Sequence, residues 1–161
     1  MKSCFFIGHR EAPGTIMPRL EEAVVRHIAE LGITDFYVGN YGSFDRMAAR
    51  AVLNAKKQYG GVSLYLLLPY HPAERPVALM PGFDGSFYPP GMEKVPRRLA
   101  IIRANRYMVD HVDHLIAYAW HPAGNARELT AYARKKGCHV TNIAEMSLAN
   151  LPAAGSTAAA E

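Results

Sequence analysis

The chain has 161 residues, 50% of them hydrophobic and 20% charged, enough apolar content to pack one domain and too much for general disorder. Its 18 Lys and Arg against 14 Asp and Glu give a net charge of +4, an excess that suits an anionic ligand but is too diffuse to mark a nucleic-acid surface by itself. Two cysteines exclude a disulfide framework and a four-thiolate zinc site, and no apolar run nears the roughly 20 residues that span a bilayer.

Residues 3–7 form a short apolar run after one lysine. It falls below the roughly 7–15 apolar residues of a secretory segment and suits a first strand. From Pro18 the pattern turns helical: Leu20, Val24, Ile28 and Leu31 fall at i, i+4, i+8 and i+11, with Glu21 and Glu22 in the first turn and Gly32 as the stop. Residues 35–38 read as a second strand that runs into Gly39-Asn40-Tyr41-Gly42. Ser43 is expected to cap the next helix, whose Phe44, Met47, Ala48, Ala51, Val52 and Ala55 make an amphipathic stripe.

Residues 62–68 are almost wholly apolar, as in a central strand buried on both faces. Residues 69–96, rich in Pro and Gly, read as one long loop carrying Tyr70, Phe83, Phe87 and Tyr88. A helix over 97–111, a strand over 115–120, a helix opening at Gly124-Asn125 and a last strand over 138–143 complete the series. This alternation predicts a three-layer, Rossmann-like α/β fold with a mostly parallel five-stranded sheet and helices on both faces. The domain is expected over 1–150, with the low-complexity stretch 151–161 as a disordered tail.

In such a sheet, ligands bind beyond the carboxyl ends of the strands. Distinctive residues follow four of the expected strands: Gly8-His9-Arg10, Gly39-Asn40-Tyr41-Gly42-Ser43, Tyr70-His71-Pro72 and His121-Pro122-Ala123-Gly124-Asn125. Two of these are glycine turns that lead straight into helices, where backbone N–H groups and the positive helix end suit a phosphate. Neither G-x-G-x-x-G nor a Walker lysine motif is present, which removes support from standard NAD and P-loop readings. Arg10, beside His9, is a natural guanidinium partner for phosphate.

Several residues have two readings. Asp45, in a first helical turn, answers either to the helix dipole or to a ribose or water contact. Glu128 follows Asn125 by three, which fits a capping box or a carboxylate near a ribose. Arg103 and Arg106 share a helical face that is either solvated or aimed, through Arg106, at the site. Asn105 and Asp113 fit structural anchoring equally well. His111, Asp113 and His114 straddle a helix end without further convergent ligands, so no metal is expected. Cys4 and Cys138 read as small buried hydrophobes. Trp120 is expected to pack over the sheet edge, with base stacking as the alternative. The aromatic residues of 69–96 are expected to line a lid or to fill a subunit interface.

Taken as one set, Phe6-Ile7-Gly8-His9-Arg10, the turn and helix over 39–49, Arg103-Ala104-Asn105-Arg106-Tyr107-Met108-Val109-Asp110, Asp113-His114-Leu115-Ile116-Ala117 and Gly124-Asn125-Ala126 resemble the YpsA-like branch of the SLOG superfamily, which groups the Smf/DprA proteins with the LOG enzymes. The resemblance covers about residues 3–143. It implies a Rossmann-like fold that binds a nucleotide or nucleotide-derived ligand. Gly39, Gly42 and Ser43 would lie against phosphate or ribose, and Gly124, Asn125 and Ala126 would form a second phosphate turn. The LOG members are phosphoribohydrolases with P-G-G-x-G-T-x-x-E. Here the segment reads Pro122-Ala123-Gly124-Asn125-Ala126-Arg127-Glu128, without the threonine and with Glu128 two positions short. Binding therefore transfers better than hydrolysis.

The resulting expectation is a cytoplasmic, homo-oligomeric sensor of a nucleotide-like small molecule, without cofactor or membrane attachment. Its ligand-binding residues would be Gly8, His9, Arg10, Gly39, Asn40, Gly42, Ser43, Arg106, Gly124, Asn125 and Ala126. One alternative is an N-glycosidic hydrolase in which Glu128 or Asp45 orients water. Another is a single-stranded DNA-binding protein related to Smf/DprA; against it, the basic residues are not interleaved with a stacking platform.

Overall fold

A computed structural model describes residues 2–145, so the expected tail lies outside the described residues. Six strands form one sheet: β1 (Lys2–Gly8), β2 (Ile33–Val38), β3 (Ser63–Leu67), β4 (Gly85–Phe87), β5 (His114–Tyr118) and β6 (His139–Asn142). Their order is β4-β3-β2-β1-β5-β6, and every neighbouring pair is parallel. Four helices connect them: α1 (Met17–Ala29), α2 (Ser43–Lys56), α3 (Ala100–His111) and α4 (Asn125–Lys135).

The α/β layering matches expectation, but the sheet has six strands rather than five. The additional strand, β4, sits inside the stretch read as loop. It is three residues long, Gly-Ser-Phe, so it carries no usable alternation of apolar and polar positions. It is held by tertiary contacts. Leu68 N–H donates to the Phe87 carbonyl at 2.8 Å. Asp84 accepts from Leu64 N–H at 2.8 Å, and the Lys56 ammonium donates both to Asp84 and to the Gly82 carbonyl.

β1 lies in the middle and shows how the two faces divide. Its side chains alternate: Cys4 and Phe6 join the cluster under α1 and α2, while Phe5 and Ile7 join the one under α3 and α4. Burying a ring such as Phe5 or Phe6 contributes about 1.5–3 kcal/mol. β5 is buried along its whole length, as a strand covered on both faces must be. The loop aromatics serve this packing as well. Tyr70, Phe87 and Tyr88 lie against the α3/α4 cluster and Phe83 against the other, each partly buried.

His27 of α1 is fully buried. Its Nδ1–H donates to the Ala23 carbonyl at 2.6 Å, its Nε2 has no partner among the described residues, and its ring meets His114 edge-on at 5.4 Å. Burial pushes its pKa down to about 4. The folded state thus resists a proton that the unfolded chain takes up near its ordinary value, so stability falls as pH drops from about 6.5 toward 4. Urea unfolding at about pH 7.5 and 4.5 should show a loss of about 2–3 kcal/mol, and His27→Leu should remove most of that difference. An unchanged acid slope in the variant would exclude His27 as its source.

Candidate functional site

Beyond the carboxyl end of β1, the starts of α2 and α4 flank a notch of about 240 Å³. This is where the strand order runs to β2 on one side and β5 on the other, the usual ligand crevice of such sheets. Its lining includes Gly8, His9, Arg10, Gly39, Gly42, Asp45, Asn125 and Ala126, with Tyr41 and Asn105.

Close backbone approach builds the α2 side. A Cβ on Gly42 would lie 2.7 Å from Arg10 Cα and closer still to the Arg10 carbonyl oxygen, so only glycine fits. Ser43 N–H donates to that carbonyl at 2.8 Å, and the Ser43 hydroxyl accepts from Ala12 N–H at 2.7 Å. Ser43 therefore neither caps α2, whose N-cap is Gly42, nor faces the notch. Its donors are spent on fastening the loop after β1. A Cβ on Gly8 would likewise strike the Phe44 ring at 2.5 Å.

Asp45 completes this side. Its Oδ2 accepts from Tyr41 N–H at 2.9 Å, and a side chain on Gly39 would come within 3.0 Å of the same oxygen. Burial raises its carboxyl to about 6, against the opposing pull of the Tyr41 bond and the Arg46 charge.

The β5 side is set by side chains from distant parts of the chain. His9 Nε2 accepts the N–H groups of both Trp120 and His121 at 3.1 Å, which requires a neutral ring with its proton on Nδ1. Burial, and then the neighbouring His121, lower its pKa accordingly. Asn142 brackets Ala119, accepting its N–H and donating to its carbonyl at 3.1 Å each, and Arg127 donates to that carbonyl at 3.2 Å. Gly124, at φ 111°, is the N-cap of α4 in a conformation that favours glycine. The N-cap of α4 is Gly124 rather than Asn125, so a capping box of Asn125 with Glu128 does not form. Glu128 N–H donates to Gly124 O, the first bond of the helix, and the amides of Asn125, Ala126 and Arg127 precede it.

Glu128 and Arg106 lie elsewhere. They line a neighbouring hollow of about 90 Å³ that shares Ile7, Asn105 and Asn125 with the notch, and Arg106 rests over the Tyr132 ring at 4.0 Å. The two carboxylates proposed for hydrolysis, Asp45 and Glu128, therefore line separate cavities. Asn40, Ser43 and Gly124 line neither. Asp113 is an anchor that accepts from Ser3 N–H at 2.9 Å. Cys4 is buried, and burial raises its thiol and that of Cys138, the latter to about 11, so neither is a ready nucleophile. Trp120 does not pack over the sheet edge. It is 57% exposed, edge-on to His9 at 5.4 Å, and Tyr41 stands 36% exposed at the notch. The exposure of Trp120 leaves open the alternative reading of a stacking face, and Tyr41 adds a second exposed ring at this edge.

No protein-family profile matches the chain, and no curated protein matches its sequence. Its fold is similar to that of DNA processing protein A from Helicobacter pylori, a structure described for its single-stranded DNA binding mode, with a TM-score of 0.56 and 16% identity. The match covers 86% of this chain and 63% of that one, so this chain spans less than two thirds of the other's length. Among the described residues no helix is long and apolar enough to cross a membrane.

The close approach of Gly42 to Arg10 should show in stability. Gly42→Ala forces the two backbones apart and should cost about 1–3 kcal/mol in urea unfolding. Gly60→Ala, which adds its Cβ to open space, should change little. Equal effects of the two would contradict the close approach.

Proposed function

We propose that the chain binds single-stranded DNA at this edge, holding one nucleotide unit in the notch. The carrying observation is the spare donor set there. The amides at the start of α4 precede its first helical bond, and the exposed Arg10 guanidinium stands with no ion-pair partner among the described residues. An N-terminal helix end and a guanidinium together suit a phosphate. Asn105 and Asn125 offer amides to the sugar or base, and Tyr41 and Trp120 offer faces for stacking. The fold likeness to a protein described as binding single-stranded DNA supports this reading, and assignment of the chain to the SLOG superfamily is part of the same proposal.

A free nucleotide, sensed by a YpsA-like protein, is the second reading. The notch itself favours it, since 240 Å³ walled by Gly8, Gly42 and Asp45 suits a single small unit. Hydrolysis through Glu128 draws less support, because Glu128 lies outside the notch.

Fluorescence anisotropy with a labelled oligothymidylate, beside thermal-shift assays with AMP and ADP-ribose, tests both readings. Strand binding with a Kd of about 10⁻⁴–10⁻⁶ M at physiological salt is expected, weakened about tenfold by Arg10→Gln. Stabilisation by a free nucleotide without strand binding would favour the second reading. No response to either ligand would contradict both.

The Asp45 carboxyl adds a pH signature. Its ionised form repels a phosphate, and with its pKa near 6 that charge disappears as pH falls. Affinity should rise about threefold to tenfold from pH 7.5 to 5.5. Asp45→Asn should hold it at the higher level throughout. A variant that keeps the wild-type pH dependence would exclude Asp45.

A further inference from the structure

A larger hollow of about 720 Å³ opens between α2 and residues 78–83 and shares Gly39 and Asp45 with the notch. Its floor and outer wall are apolar, with Leu53, Leu66 and Phe83 inside and Leu79 and Met80 at the rim, Met80 67% exposed. The wall is built to stay in place. Lys56 donates to the Gly82 carbonyl at 2.8 Å, and Gly82, at φ 96°, packs so close to Leu53 that a Cβ would meet its Cδ2 at 2.5 Å. Along the α2 side stand Arg46, Arg50 and Lys57, at i, i+4 and i+11 of one helical stripe. All three are exposed, and none has an ion-pair partner among the described residues.

Exposed cations are commonly just solvated. These three, however, border an apolar hollow that is continuous with a nucleotide-sized notch. A row of cations beside apolar surface is the arrangement that tracks a single strand, phosphates on one side and base faces on the other. Resting on the reading of the notch as a strand-binding site, we propose that this hollow carries the strand onward. The strand crosses the notch wall beside Gly39 and Asp45, the two residues that line both hollows. Its phosphates then meet Arg46, Arg50 and Lys57, and its bases lie on Leu79, Met80 and Phe83. Thioether and aliphatic surface adapts to any base, so the track adds affinity without selecting sequence.

The test compares oligothymidylates of about 4, 8 and 12 nucleotides on the full chain and on an Arg50→Gln/Lys57→Gln variant, by anisotropy over a salt series. Both positions are exposed and outside the notch lining, and a matching thermal unfolding curve confirms the variant's fold. Wild-type affinity should rise about tenfold or more from the shortest to the longest strand, and the variant should keep the short-strand affinity while losing most of that rise. Each phosphate deprived of its cation flattens the salt slope by about 0.7, so the long-strand slope should fall by about 1.4. A rise that persists in the variant overturns the track, gives the hollow to another occupant such as an acidic protein segment, and leaves the notch reading standing. Failure of the wild type to bind any strand overturns the notch reading, and the track with it.

Discussion

The backbone of Arg10 presses on Gly42 with no room for a side chain between them, and the rest of the site follows from that approach. It fastens the loop after β1 to the start of α2, and Ser43 locks it with its amide and hydroxyl. The Ser43 amide, the first donor of α2, is consumed in doing so. At α4 the amides of Asn125, Ala126 and Arg127 precede the first helical bond, while His9, Asn142 and Arg127 hold the preceding segment at Ala119, Trp120 and His121. Two helix ends that look alike in sequence therefore differ in structure: the amide that opens α2 is tied to the Arg10 carbonyl, whereas Asn125 and Ala126 of α4 line the notch.

The electrostatics follow the same division. His9 must stay neutral to accept two amides, and burial depresses its pKa in that direction. Asp45 is raised by burial, so the acid at the notch is close to shedding its charge at mildly acidic pH. Arg10 and the row on α2 supply positive charge on the rim, where water still reaches it and an anion can arrive. The modest net charge of +4 thus understates the local field, because it averages this edge with acids placed elsewhere.

The architecture is legible in the sequence because central strands covered on both faces read as unbroken runs, as residues 62–68 do, and helices between them keep a clear period. β4 is not legible. Three residues in a Pro- and Gly-rich stretch have no pattern, and pairing with β3 together with Asp84, Leu68 and Lys56 secures them. The glycine turns point to the right edge of the sheet, since Gly8, Gly39 and Gly42 reach the notch. Ser43 misleads because a serine before a helix looks the same whether it caps that helix or binds a neighbouring loop. Asn142 carries no local signature, its partner Ala119 lying 23 residues away. Glu128 and Arg106 fall in the adjoining hollow because the relative rotation of α3 and α4, invisible in sequence, turns them there.

The central claim is that phosphate of a bound strand sits between Arg10 and the start of α4. Amide NMR shift mapping during titration with a short oligothymidylate tests it most directly. The account requires the amides of residues 8–10 and 125–127 to shift together and saturate with one dissociation constant. Saturable shifts confined to other surfaces, with these two segments unmoved, would contradict it.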